Sequence, residues 1–168
     1  MMCNNFYYRT DRALLVLPPK CASSSIKQAC RLSGDWLPRA EAETLNQHVY
    51  TIAFARHPWD RIISALYSCL FTFEPFAIRL QRHIDADDSH VRPQARMMDG
   101  LRIDRLVLFE NLAAEWPGLM DEFGFDSLPH IAKRLPDRGQ TWQAEPFAWS
   151  TLLPADQGDF ALCNAWQQ

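Results

Sequence analysis

Three short apolar runs, each followed by a helix-like pattern, constrain this chain more than any other feature. Residues 13–17 (ALLVL) are continuously apolar and close on Pro18-Pro19. Residues 49–55 (VYTIAFA) are apolar and β-branched and end at Arg56-His57-Pro58. Residues 104–109 (DRLVLF) form the third run, ahead of Glu110-Asn111. Runs of this length without alternation suit strands covered on both faces, as in a parallel sheet. Between them lie helical spacings. Ile26, Ala29 and Cys30 share one face of a helix expected over 24–32, with hydroxyls of Ser23, Ser24 and Ser25 offered as N-caps and Gly34 as its stop. Trp59, Ile62, Ile63, Leu66, Cys69, Leu70 and Phe73 fall on one face of a helix opened by Pro58. A further helix is expected over 76–84, then a polar loop over 85–94. The last amphipathic helix starts at Glu110-Asn111, turns Leu112, Trp116, Leu119, Met120 and Phe123 inward and stops at Gly124. Residues 129–150 read as a Pro-rich surface segment and 154–166 as a terminal helix. The alternation predicts α/β architecture, with a short central parallel sheet flanked by helices. In such sheets ligands sit at the carboxyl ends of the strands.

Composition narrows the function. With 168 residues and 48% hydrophobic content, one domain with a sizeable core is expected. The net charge of -3 leaves no whole-molecule basic field for nucleic acid. The longest apolar stretch, residues 62–71, is about half of the roughly 20 residues that span a bilayer, so no transmembrane segment is expected. No apolar stretch follows a basic start, so no signal peptide is expected. Cys3, Cys21, Cys30, Cys69 and Cys163 are odd in number and without a CxxC pair, which points to reduced thiols in a cytoplasm. The histidines lack HxxxH and HExxH spacing, so no metal site is expected. Charge is uneven: residues 1–34 carry Arg9, Arg12, Lys20, Lys27 and Arg31 against Asp11 alone, a local excess of +4 that suits a small anionic ligand.

Two segments concentrate that chemistry. In Pro18-Pro19-Lys20-Cys21-Ala22-Ser23-Ser24-Ser25, a strand runs through a turn of small residues into a helix. Small side chains let backbone N–H groups approach an anion, the helix dipole adds positive charge, and Lys20 adds a mobile point charge. GxxxxGK[ST] is absent, so this is not a Walker A loop. In Arg56-His57-Pro58-Trp59-Asp60-Arg61-Ile62-Ile63-Ser64, an arginine ends a strand and a serine lies two turns into the next helix. A guanidinium fork and a hydroxyl can converge on one phosphate.

The first segment resembles the 5′-phosphosulfate loop of sulfotransferases that use 3′-phosphoadenosine 5′-phosphosulfate (PAPS), above all the carbohydrate sulfotransferases of the Golgi class and their bacterial relatives. The second resembles that family's 3′-phosphate motif, Arg-x-Pro-x-x-Arg-(two apolar)-Ser-Ala-(apolar)-Tyr, including the eight-residue step from Arg56 to Ser64. Asp88-Ser89-His90-Val91-Arg92-Pro93-Gln94 is similar to its Asp-x-His-Trp-x-Pro-Gln loop, with Val91 in place of Trp. Residues 105–112, 128–131 and Asp159-Phe160 are similar to its later pieces. The resemblance implies a three-layer P-loop-like domain over 1–168, with the PAPS-binding core in 13–124 and an irregular segment in 125–168. It implies that Lys20 contacts the bridging oxygen and sulfuryl group, that Cys21, Ala22, Ser23, Ser24 and Ser25 bind the 5′-phosphosulfate, and that Arg56 and Ser64 bind the 3′-phosphate. The activity implied is sulfuryl transfer, without a metal, from PAPS to a hydroxylated small molecule or carbohydrate acceptor.

The chain is short for that family, and residues 33–47 look cut down. The family places a His or Glu base between the two nucleotide motifs. Here that interval holds Asp35, Glu41, Glu43 and His48, of which His48 has the pKa best suited to neutral work. His90 is an alternative from the later loop. Two rivals stay open: a module that binds PAP or PAPS but has lost catalysis, and a nucleotide phosphotransferase with an unusual loop.

Overall fold

The computed structural model describes residues 6–32, 36–69 and 76–129. The chain begins with a hairpin, β1 (Tyr7–Arg9) and β2 (Ala13–Val16), and continues through α1 (Ser23–Ala29), α2 (Arg39–Asn46), β3 (Tyr50–Ala55), α3 (Pro58–Cys69), α4 (Phe76–Asp85), α5 (Gln94–Met98), β4 (Arg105–Leu108), a 3-10 turn (Phe109–Asn111) and α6 (Leu112–Phe123). The expected segment over 129–150, apart from Pro129, and the helix over 154–166 lie outside the described residues, as do Gly34 and residues 70–75.

The fold is α/β with a small four-stranded mixed sheet in the order β1-β2-β3-β4. β2, β3 and β4 are mutually parallel, and β1 runs antiparallel to β2. All three expected strands are therefore present. The sequence reading missed β1. Phe6, Tyr7 and Tyr8 are strong β-formers, and the Thr10 hydroxyl closes the turn by accepting the Ala13 N–H at 2.9 Å. The other two missed elements are α2 and α5, both short.

Alternate residues of each strand feed two cores. Leu15, Ile52, Phe54 and Val107 pack against Ile26 and Ala29 of α1 and Leu112, Trp116 and Leu119 of α6. Leu14, Val16, Ala53, Ala55, Leu106 and Leu108 pack against Ala42 of α2 and Met97 and Met98 of α5. Helices thus cover both faces, which is why the strands read as continuous apolar runs. A third cluster joins Ile62 of α3, Leu80 of α4 and Val91. Gly124 ends α6 at φ 73°, a left-handed C-cap where glycine carries no Cβ penalty. Among the described residues no helix is long and apolar enough to cross a membrane.

Candidate functional site

Parallel pairing sends the carboxyl ends of β2, β3 and β4 to one edge, and the register decides what meets there. Val16 pairs with Ala53, and Ala55 pairs with Leu108. Carried forward, the same registers set Arg56 opposite Pro19 on one side and Phe109 on the other. The Arg56 guanidinium lies 4.3 Å above the centre of the Phe109 ring. Its Nη1 donates to the Lys20 carbonyl at 3.2 Å. The neighbouring His57 N–H donates to Glu110 Oε1 at 2.9 Å. All three strand-to-helix connections therefore meet at this edge, and Arg56, only 6% exposed, sits between the other two.

The turn after β2 is built on backbone conformation. Lys20 (φ 69°) and Ala22 (φ 60°) both occupy the left-handed region, which costs non-glycine residues roughly 1 kcal/mol each. Ala22 is the N-cap of α1, and no side chain caps it. That corrects the expectation that Ser23, Ser24 or Ser25 caps the helix. The hydroxyls belong to the first turn itself: Ser23 and Ser25 are half-buried and Ser24 is exposed. Lys20 is half-buried, and Cys21 is buried with its thiol donating to Gln94 Oε1 at 3.0 Å.

Beyond Arg56, α3 carries Arg61 toward the loop ahead of α5. Arg61 is fully buried; its Nη1 donates to the His90 carbonyl at 2.9 Å and its Nη2 to the Arg92 carbonyl. Arg61 is thus a latch on the segment 89–92, an assignment the sequence did not suggest. Ser64, one turn further along α3, is half-buried. Just ahead of that segment a carboxylate lies between two imidazoles. Asp88 Oδ1 lies 2.9 Å from His90 Nδ1, and Asp88 Oδ2 lies 2.7 Å from His83 Nδ1. Burial by itself would raise the Asp88 pKa; hydrogen bonds from the His90 peptide N–H and from the His90 and His83 rings overcome it and hold the carboxyl at about 2. A carboxylate on Nδ1 fixes the ring and leaves Nε2 of His90 as the nitrogen able to accept a proton.

The structure brings Lys20, Cys21, Ala22, Ser23 and Arg56 to one edge, and it does not bring His48 there. His48 is exposed and precedes β3, so it lies at the amino edge. Six strand residues separate it from Arg56, about 20 Å at 3.3 Å per residue. Glu41 and Glu43 on α2 are exposed, and Glu43 is paired with Arg39 at 2.5 Å. Asp35 lies outside the described residues. Among the described residues no group of three His, Cys, Asp or Glu side chains could hold a metal ion.

Sequence reasoning placed Gln94 at the end of the loop over 88–94 but gave it no role in the site. Gln94 is fully buried, its Nε2 donates to the Arg56 carbonyl at 2.9 Å, and its Oε1 accepts the Arg56 N–H at 2.9 Å. Its place after Pro93 in a polar stretch gives no sign of burial.

No family model matches the chain, and neither a curated protein nor a solved structure matches it significantly.

Proposed function

We propose that this protein is a cytoplasmic PAPS-dependent sulfotransferase, built as a three-layer P-loop-like domain, that moves a sulfuryl group to a hydroxyl of a carbohydrate or similar acceptor. The observation that carries this reading is the brace between the two strand-end loops, from the Arg56 guanidinium to the Lys20 carbonyl. A nucleotide with phosphate groups at both its 3′ and 5′ positions needs two anion sites side by side, one rich in N–H and hydroxyl donors and one with a guanidinium.

In this reading the turn of Cys21, Ala22, Ser23, Ser24 and Ser25 holds the 5′-phosphosulfate, and Arg56 and Ser64 hold the 3′-phosphate. The acceptor oxygen attacks sulfur in line with the 5′-phosphate. The new O–S bond forms as the bond from sulfur to the phosphate oxygen breaks, and PAP departs with that electron pair. Lys20 follows the negative charge onto the leaving oxygen. The acceptor proton passes to His90, which Asp88 orients and Arg61 positions through the segment 89–92. The far placement of His48 favours His90 for this role.

Calorimetric titration with PAP, followed by an acceptor screen with labelled PAPS, tests the reading. Binding in the micromolar range and transfer to a hydroxylated acceptor are expected. Absence of PAP binding at millimolar concentration would sink it, and binding with no transfer to any acceptor would favour a module that has lost catalysis.

A further inference from the structure

Gln94 closes a ring of hydrogen bonds around the candidate site. Its Oε1 accepts from the Arg56 N–H at 2.9 Å and from the Cys21 thiol at 3.0 Å, and its Nε2 donates to the Arg56 carbonyl at 2.9 Å. Arg56 Nη1 donates to the carbonyl of Lys20, the residue before Cys21. The ring therefore passes from Gln94 through Arg56 to the anion turn and back to Gln94. The backbone fixes which way the amide faces: an N–H must meet Oε1 and a C=O must meet Nε2. A carboxamide that bonds both the N–H and the C=O of one residue does what a neighbouring strand does. It extends the β3 ladder by one residue and holds Arg56 extended. The guanidinium then leaves the backbone in a fixed direction, over Phe109 and against the turn.

We infer that Gln94 is a positioning residue that sets specificity for the nucleotide's 3′-phosphate, acting through Arg56. The inference rests on the nucleotide reading above. It assigns the preference for a 3′-phosphorylated nucleotide to a buried amide that touches no ligand. Without the amide, Arg56 retains its charge but loses its fixed direction, and a charge-assisted contact depends steeply on direction.

The test compares PAP with adenosine 5′-phosphate, which lacks the 3′-phosphate, by calorimetry on the parent, Gln94→Met and Gln94→Glu, with melting temperature measured in parallel. The parent prefers PAP. In Gln94→Met the preference falls about tenfold, the scale of one well-placed hydrogen bond, while affinity for adenosine 5′-phosphate changes less than the preference does. Gln94→Glu sets a carboxylate against the Arg56 carbonyl at pH 7.5 and loses the preference. At pH 5.5 the buried carboxyl takes a proton, its O–H donates to that carbonyl, and the preference returns toward the parent's value at the same pH. The charged and titratable residues that face this amide include Arg56 and Cys21, with Lys20 joined to Arg56 through its carbonyl and Glu110 on the adjoining His57 peptide. A lowered melting temperature with the parental preference in Gln94→Met, or no recovery in Gln94→Glu at pH 5.5, would overturn the inference alone. A parent that binds neither nucleotide would overturn the nucleotide reading and this inference with it.

Discussion

The two ends of the sheet use the same device for different ends. At the amino edge, Asn46, the last residue of α2, is 5% exposed and clamps Arg102: its Nδ2 donates to the Arg102 carbonyl at 2.7 Å and its Oδ1 accepts the Arg102 N–H at 2.8 Å. At the carboxyl edge Gln94 clamps Arg56 in the same way. The difference lies in what each clamped arginine does next. Arg102 turns back onto Asp104 at 2.9 Å, and Asp104 accepts the Thr51 N–H at 2.8 Å, so the amino edge closes upon itself. Arg56 instead lies across an aromatic face and braces a strained turn. A buried amide is thus a general means of fixing a chain segment beside a strand end; the neighbouring groups decide whether it fixes structure or presents charge.

Substitutions at four positions sharpen or break this comparison, in descending order of effect. Lys20→Ala lowers the single-turnover rate from labelled PAPS by about two decades or more, with a smaller loss of PAP affinity, because its contact strengthens as charge reaches the leaving oxygen. Lys20→Arg fails as well, since a planar guanidinium does not follow that charge. Near-parental turnover in either variant would remove Lys20 from the chemistry. Arg56→Ala removes a contact worth about 1.5–3 kcal/mol and weakens PAP by roughly one to two decades. Adenosine 5′-phosphosulfate, without the 3′-phosphate, binds parent and variant alike; an equal calorimetric loss for both ligands would refute the assignment.

Asn46→Ala acts on the other edge. It leaves the Arg102 peptide groups without their amide partner and lowers unfolding stability by about 2 kcal/mol in urea titrations, while PAP affinity stays at the parental value. A matching drop in affinity would show that the two edges are not separate. The smallest effect is that of Asp88→Asn. The folded carboxyl, at about 2, lies below its ordinary value, so it contributes stability above about pH 4 that is lost as pH falls through 2. The parent is therefore the more stable protein at pH 6, and the gap closes by pH 2. A gap that persists at pH 2 would mean that the carboxylate's hydrogen bonds to His83 and His90 are not its source.

Much of the sheet and the two loops was legible in the sequence because both depend on local pattern. Residues 13–17 and 51–55 are buried, with helices on both faces of the sheet, and burial of that kind writes itself as an unbroken apolar run. Lys20 and Arg56 stood out because Arg56 follows such a run directly and Lys20 follows one after Pro18-Pro19. What stayed hidden depends on tertiary pairing. Gln94 and Asn46 are ordinary amides in polar stretches, and only the fold reveals that each meets both the N–H and the C=O of one residue. Arg61 follows Asp60 in the first turn of α3, and nothing nearby in sequence says that it is fully buried against carbonyls. His48 looked suitable by its pKa, but the direction of β3 sets it at the other edge. The cap of α1 was misread because Ala22 adopts a left-handed conformation that its type does not advertise.

The antiparallel β1 has a consequence for the order in which the molecule assembles. Arg9 pairs with Leu14 across a turn that Thr10 closes with its own hydroxyl, so this contact spans a few residues of chain. The pairing of Ala13 with Tyr50 must close a loop many times longer, at greater entropic cost. The hairpin is accordingly the natural nucleus: β2 and the turn that follows it take shape on a local template, and β3 delivers Arg56 to them later. Stopped-flow refolding would then slow when Thr10 is replaced by Ala, whereas Thr51→Ala, on the late strand, would chiefly speed unfolding.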